Sequence, residues 1–444
     1  MVVGARHART SQGVDPAVTT RGTPRRPGTA GPRALGPTPG AFAAGPGLAR
    51  RRRRRWVRRA ALGLAVLMAG AAGAGWAAYE KLNSNITADD DAASELARHE
   101  KERPPVLVPG AQNILLIGSD SRSGDGNGRY GRDSGTQRSD TTILLHLAAD
   151  RRSATAAFLP RDLMVEVPDC RRPDGSRSLP VFTMFNHAFA TGGSACSVRT
   201  VEKLTDIRVD HYMVVDFNGF KKLVDALDGV QVCLKEPIDD KDAKLKLPAG
   251  KVTLDGEQAL GYVRARKSLG DGSDTERMER QQRFLGALVS KVHSNDVLLN
   301  PVKLYPVLDA ATSSLTTDPG LASLRGLYGL VHGLGDLPTK RVHFLTVPRT
   351  PYSYNANRDQ LVEPAARKLF ARLRMDQPIE VVPEVPDGSP SKAGSTAPGR
   401  GNGEESHGNG KSAVVRPGIP GAHESGPRTP PTFPGNTARS DACR

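Results

Sequence analysis

The first 59 residues contain no lysine and a single acid, Asp15, against 14 arginines. They also contain hardly any large apolar side chains, being mostly Gly, Pro, Ala and Thr, and such a stretch cannot bury enough surface to fold. Of the formal net charge of +15, this arm carries +13 and the other 385 residues only +2. The basicity is therefore that of an arm rather than of a folded nucleic-acid-binding surface, and no nucleic acid is expected as a partner. Cysteine is scarce: Cys170, Cys196, Cys233 and Cys443 form no CxxC pair and no zinc spacing. The glycine-rich loop SGDGNGRYGRDSG lacks the GK[ST] of a P-loop, and the chain has no GxSxG elbow and no HExxH pair, so the loop is not a phosphate-binding P-loop and neither serine hydrolysis nor zinc proteolysis is signalled. Tryptophan occurs only at Trp56 and Trp76.

Those tryptophans bracket Ala60 to Tyr79, 20 residues without a charge, which as a helix would rise about 30 Å and match the hydrocarbon thickness of a bilayer. Aromatic residues at both ends suit the membrane interfaces. Arg51 to Arg55, with Arg58 and Arg59, would keep the N-terminus in the cytoplasm beside anionic membrane lipid, and everything after Glu80 outside. A cleaved secretory signal is the competing reading, because small residues dominate the segment, but the preceding region is far longer than a signal peptide needs. The expected organisation is a disordered arm (1–59), a transmembrane helix (60–79), a polar stem (80–109), a folded domain (110–378) and a disordered Pro/Gly/Ser-rich tail (379–444).

Within the domain, NILLIG from Asn113, Thr141 to Leu147 and Ala154 to Pro160 read as buried strands. Helical periodicity at Ser197 to Leu204, Asn218 to Leu227 and Asp255 to Gly261 alternates with strands at His211 to Phe217 and Val230 to Leu234. That alternation predicts a layered α/β domain. Outside the cytoplasm disulfides are permitted. Cys170 and Cys196 flank a Gly-, Pro- and Arg-rich loop and are expected to pair, the alternative being two unpaired core residues. Cys233, inside an apolar strand, is expected to be buried and free.

The chemistry concentrates in YVRARKSLGDGSDTERMERQQRFL, Tyr262 to Leu285. Arg264 and Arg266, two apart in a run of extended character, would leave the same face of a strand. After a Gly-Asp-Gly turn, Ser273 and Glu276 read as a capping box that starts a helix. On it Arg277, Arg280, Gln281 and Phe284 share one face, with Leu285 and Leu288 anchoring it. Four arginines at a helix N-terminus repel one another unless an anion joins them, and guanidinium forks match phosphate oxygens. A solvated basic helix face is the plainer alternative. Polar loops at strand ends add Asp120, Arg138, Asp140, Arg161 and Asp162, where ligand sites of open α/β sheets lie. Asp120 and Asp140 near arginines suggest Mg²⁺.

Taken in order, GSDSR, RSDTT, FLPRDL, FNHAFATGG with Cys196, VVDFNGFKKLVDALDGVQV, LDGEQALGYVRAR and GDGSDTERMERQQRFL closely resemble the motifs of the LytR-CpsA-Psr family. The resemblance is dense from Asn113 to Val292 and thin to about Arg374. It implies a membrane-anchored phosphotransferase of α/β/α type that moves a glycan from a polyprenyl-pyrophosphate carrier onto peptidoglycan, with the lipid in an apolar tunnel and Mg²⁺ assisting. By position, Asp120 and Asp140 resemble the magnesium-side carboxylates. Arg138, Arg161, Arg264 and Arg266 resemble the arginines that hold the pyrophosphate, and Asp274, Arg277, Arg280 and Gln281 those around the head group. Asp274 or Asp140 would serve as general base. The loop between Asp120 and Asp140 departs from the family in length. Hydrolysis of the same pyrophosphate, or non-catalytic sensing of lipid-linked precursors, are the other readings.

Overall fold

The apolar run at Asn113 is a strand, Gln112–Ser119, and its successive side chains point to opposite faces, as a strand's two-residue period requires. Leu115 and Ile117 enter one apolar cluster and Ile114 another. A strand buried on both faces belongs to a sheet covered on both sides, which is the expected α/β/α layering. The computed structural model describes residues 47–119, 139–241, 243–265, 274–292, 300–335, 337–382 and 431–438. The chain divides into two units, Met1–Ala69 and Gly70–Arg444; the first is described only as helix, from residue 47, and the features below belong to the second unless stated.

In chain order the strands are β1 (Thr87–Ala88), β2 (Gln112–Ser119), β3 (Ser139–Leu147), β4 (Ala154–Leu159), β5 (Met164–Val167), β6 (Val181–Met184), β7 (His211–Asp216), β8 (Val230–Leu234), β9 (Ile238–Asp240), β10 (Leu245–Leu247), β11 (Gly250–Leu254), β12 (Leu315–Thr317), β13 (Val342–Thr346), β14 (Arg349–Tyr352), β15 (Asn355–Leu361), β16 (Glu380–Val382) and β17 (Thr432–Thr437). The helices that matter below are α1 (Gly47–Ser84), α2 (Asp90–Arg98), α3 (Asn186–Thr205), α4 (Phe217–Ala226), α5 (Gly256–Arg264) and α6 (Asp274–Val292). The main sheet runs β1-β12-β7-β2-β3-β4-β13-β17-β16. β2 is parallel to β7, β4 is parallel to β13, and β3 is antiparallel to its neighbours β2 and β4. The carboxyl ends of β2, β4, β7 and β13 therefore share one end of the sheet with the start of β3. One face is covered by α2, α3 and the helix Glu363–Arg374, through Leu96, Val198 and Leu369. The other is covered by α6 and the helix Leu324–Gly335, through Leu285, Val289 and Leu330.

Four expectations need correction. Residues 80–109 are not a simple spacer: β1 pairs with β12, and Leu82, Ile86, Ala92 and Leu96 are buried. The expected disordered tail supplies β16 and β17, and β17 pairs with β13 while Phe433 and Ala438 are buried. Cys233 is disulfide-bonded and exposed, because Val230, Val232 and Leu234 take the inward positions of β8 and leave Gln231 and Cys233 outward. Arg264 ends a helix instead of lying on a strand. Cys170 and Cys196 are bonded, with Cα atoms 5.5 Å apart. Gly192 makes room for that bond: a Cβ there would lie 2.7 Å from the Arg171 carbonyl oxygen and 3.0 Å from both cysteine Cβ atoms. With Gly193 at φ +59° it also kinks α3.

Among the described residues one helix is long and apolar enough to cross a membrane, Arg52–Ser84. Its apolar stretch is exposed throughout.

At the far end of β7, His211 Nδ1 lies 3.1 Å from Asp318 Oδ1. The hydrogen bond to Asp318 raises the His211 pKa above its ordinary value, against the opposing effect of burial. The protonated ring is thus favoured by folding. Its contribution is complete below an unfolded pKa of about 6.5 and is lost as pH rises through the folded value. In melting curves from about pH 5 to about pH 9, wild type is expected to lose stability relative to His211→Asn on the alkaline side. Parallel curves would contradict this.

Candidate functional site

α4 begins where Asp216 accepts a hydrogen bond from Gly219 N at 2.7 Å, and α5 where Asp255 and Gln258 form a reciprocal capping box. Asp225 Oδ1 accepts from Gly256 N at 2.7 Å, which ties the start of α5 to the end of α4. A side chain at Gly256 would bring a Cβ to 2.4 Å from the Lys221 carbonyl oxygen, so glycine permits this close approach. α5 and α6 then enclose, against the sheet, a cavity of about 480 Å³. Its floor is Leu116, Ile143 and Met213, its walls include Phe220, Leu223, Leu260 and Val263, and Phe284, Leu285 and Leu288 descend from α6. Polar side chains gather around this apolar lining: Asp140, Asp216 and Asp240 with Thr141, Arg161, Arg264, Arg277 and Gln281. An apolar enclosure with a few convergent charged groups is the pattern of a ligand site.

The charged groups are held by short contacts. Arg161 Nη1 donates to Asp140 Oδ1 at 2.9 Å and its Nε to Asp162 Oδ2 at 3.2 Å. Arg358, from β15, reaches the other Asp162 oxygen at 3.4 Å. The Arg264 guanidinium lies over the Phe217 ring, 4.7 Å from its centroid. Arg277 and Arg280 are only 5% and 6% exposed, which overturns the solvated-face alternative for α6.

The residues of α6 divide by role. Arg277, Gln281, Phe284, Leu285 and Leu288 line the cavity, but Arg280 does not. Arg280 Nη2 donates to the Ala265 carbonyl, and Gln281 Nε2 to the Val263 carbonyl at 3.3 Å. These carbonyls close the C-terminus of α5, whose last acceptors have no partner within the helix. Arg280 is therefore a positioning residue that fixes the turn bearing Arg264. Burial lowers its pKa, Arg283 adding to the effect while Tyr262, Glu276 and Asp240 oppose it. Replacing Arg280 with alanine strands the Ala265 carbonyl and is expected to cost about 1–3 kcal/mol of stability. Denaturant titration of wild type and variant checks this, and an unchanged midpoint would refute it.

Of the expected site residues, Asp140, Arg161, Arg264, Arg277 and Gln281 come together and Arg280 stands behind them. Asp274 opens α6, where its backbone alone is described. Asp120, Arg138, Arg266 and the capping residue Ser273 lie outside the described residues. Sequence reading missed Phe217, whose signal was its place at the head of an amphipathic helix. It also missed the Asp162–Arg358 contact, for which no local signal exists across 196 positions.

A protein-family model described as the LytR_cpsA_psr family matches residues 78–374. The chain is 37% identical over 214 residues to the "Probable cell wall biosynthesis protein LcpB" of Corynebacterium glutamicum, covering 47% of this chain and 48% of that protein. It is 30% identical over 326 residues to the "polyisoprenyl-teichoic acid–peptidoglycan teichoic acid transferase TagT" of Bacillus subtilis, covering 71% of this chain and 94% of that one. The chain spans about half the length of the C. glutamicum relatives LcpB and LcpA. A crystal structure of protein gbs0355 from Streptococcus agalactiae shares the fold, with a TM-score of 0.50 at 22% identity over 60% of this chain and 89% of that one.

Proposed function

The chain belongs to the LytR_cpsA_psr family, and from that premise we propose that it transfers a glycan phosphate from a polyprenyl-pyrophosphate carrier to a hydroxyl of peptidoglycan. The observation that carries the reading is the joining of an apolar cavity to Arg161, Arg264 and Arg277. A ligand complementary to both parts has a long apolar chain and an anionic head. The relative TagT is named for transfer of a polyisoprenyl-linked teichoic acid to peptidoglycan, a donor of that description.

In this reading the lipid occupies the cavity and the guanidinium groups receive the pyrophosphate. The acceptor hydroxyl oxygen forms a bond to the glycan-linked phosphorus, the bond from that phosphorus to the bridging oxygen breaks, and polyprenyl phosphate leaves with the electron pair. The hydroxyl proton passes to a carboxylate, with Asp140 or Asp274 in that role. Phosphoryl transfer asks little covalent chemistry of the protein, so positioning and charge neutralisation supply most of the catalysis.

Among the described residues no group of three or more His, Cys, Asp and Glu is placed to hold a metal. Mg²⁺ does not need one, since it is commonly held by one or two carboxylates together with phosphate oxygens and water. The Asp140 carboxylate beside the cavity's arginines fits that mode, with Asp120 as the second ligand. The ion would neutralise phosphate charge there. Disulfide bonding at Cys170, Cys196 and Cys233 supports a domain outside the cytoplasm, anchored through Arg52–Ser84 with the basic arm facing anionic lipid inside.

The test is incubation of the full-length protein with a labelled polyprenyl-pyrophosphate glycan and peptidoglycan. Label should become covalently bound to the wall polymer. Release of free phosphorylated glycan alone would make the protein a pyrophosphate hydrolase, and neither product would leave the sensor reading.

A further inference from the structure

We infer that Phe182, Tyr352 and Tyr354 form the docking surface for the acceptor, a peptidoglycan glycan strand whose sugar rings lie on these side chains; the inference rests on the function proposed above and adds where the second substrate binds. The three rings form a row, with centroids 6.1 Å apart between Phe182 and Tyr352 and 5.5 Å between Tyr352 and Tyr354. Phe182 is 52% exposed and Tyr354 88%, and Tyr352 between them is half-buried. A contiguous group of exposed aromatics on a soluble face marks a binding surface more often than a lone exposed ring does.

The row is built on the polypeptide that leaves the phosphate corner. Arg161 and Asp162 follow β4, and the chain continues into β5, which pairs with β6 and sets Glu166 opposite Phe182. β15 returns to the same corner, where Asp359 N donates to the Asp162 carbonyl at 3.1 Å and Arg358 reaches the Asp162 carboxylate. Across the β14–β15 hairpin, Tyr352 pairs with Asn355. Both hairpins that carry the rings thus extend directly from the residues that hold Arg161.

The occupant follows from chemistry and space. The apolar cavity is taken by the donor lipid, so the acceptor must approach Arg161 over an outer surface. Saccharide rings present apolar C–H faces edged with hydroxyls. The protein offers rigid aromatic faces that lose little conformational entropy on binding, next to exposed Ser353, Asn355 and Asn357. The neighbouring arginines are already engaged, Arg349 with Asp359 and Arg358 with Asp162. With those arginines paired, the surface offers an acceptor aromatic faces and neutral polar groups.

The experiment measures transfer by the full-length protein in detergent, with soluble glycan-strand fragments as acceptor, for wild type, Phe182→Ala, Tyr354→Ala and Tyr354→Phe. Each alanine variant is expected to raise acceptor KM about three- to tenfold, the loss of one ring contact, with donor KM unchanged and Tyr354→Phe close to wild type. Unchanged acceptor KM in both alanine variants would overturn the inference. A change in donor KM alone, seen only after reconstitution into nanodiscs, would assign the rings to the bilayer and overturn it equally. Should wild type transfer nothing, the function reading fails separately. Fragment binding read from the Tyr354 ring resonances then decides the surface: shifts on adding glycan fragments support it and their absence refutes it.

Discussion

Replacing Arg264 with alanine is expected to lower glycan transfer by about 10²- to 10³-fold, the scale on which removal of one preorganised electrostatic group acts, while leaving the fold intact. Arg264 closes α5, is held over Phe217, and stands at the cavity with Arg161 and Arg277. Arg161 is already paired with Asp140 and Asp162, and Asp216 and Asp240 also line the cavity. Removing Arg264 forfeits its contact with the Phe217 ring, worth about 0.5–1 kcal/mol or somewhat more. The melting temperature should therefore change little. Arg264→Lys keeps the charge but loses the two-pronged fit to phosphate and should fall between alanine and wild type. Transfer rate and thermal melting are to be measured on the same preparations. A variant that loses about 3–5 kcal/mol of stability, as when a buried ion pair is broken, would show Arg264 to be structural instead.

The second large effect concerns folding. Cys170 and Cys196 are separated by 26 positions, and closing a loop of that size in the unfolded chain is worth roughly 3.5 kcal/mol by the chain-entropy model. Both half-cystines are buried among the residues that join α3 to β5. The double substitution Cys170→Ala and Cys196→Ala should therefore cost about that much in a denaturant titration. It should also loosen the β5–β6 hairpin that carries Phe182, which hydrogen exchange would register as early loss of protection. A double variant as stable as wild type, with the hairpin equally protected, would contradict this account.

The central strands and the cavity-lining stripe of α6 were legible because their signals are local. Apolar runs of strand length and apolar or arginine positions three and four apart are visible without knowing what they touch. Arg264 was misplaced because YVRAR alternates like a strand, while the Asp255–Gln258 capping box that commits the segment to helix lies upstream. In β8 the alternation was also visible; it puts valines and Leu234 inward and so puts Cys233 outward, a consequence the apolar look of the strand concealed. The stem and tail failed for a different reason. Thr87 pairs with Thr316, and Leu345 with Gly435, partners far away in sequence that no window contains. Gly435 is needed where a Cβ would stand 2.3 Å from the Phe344 carbonyl oxygen, yet Pro434 and Gly435 read as loop residues until that neighbour is known.

If one ligand spans the apolar cavity and its arginines, its two halves together should stabilise the fold more than either half alone. The full-length protein would be melted with a short-chain prenyl pyrophosphate, with the matching prenyl alcohol, and with inorganic pyrophosphate, for wild type and Arg264→Ala. Prenyl pyrophosphate is expected to raise the wild-type melting temperature well above either half of the molecule, and Arg264→Ala to lose most of the gain due to the head group. Equal stabilisation by prenyl alcohol and prenyl pyrophosphate, undiminished in Arg264→Ala, would contradict it.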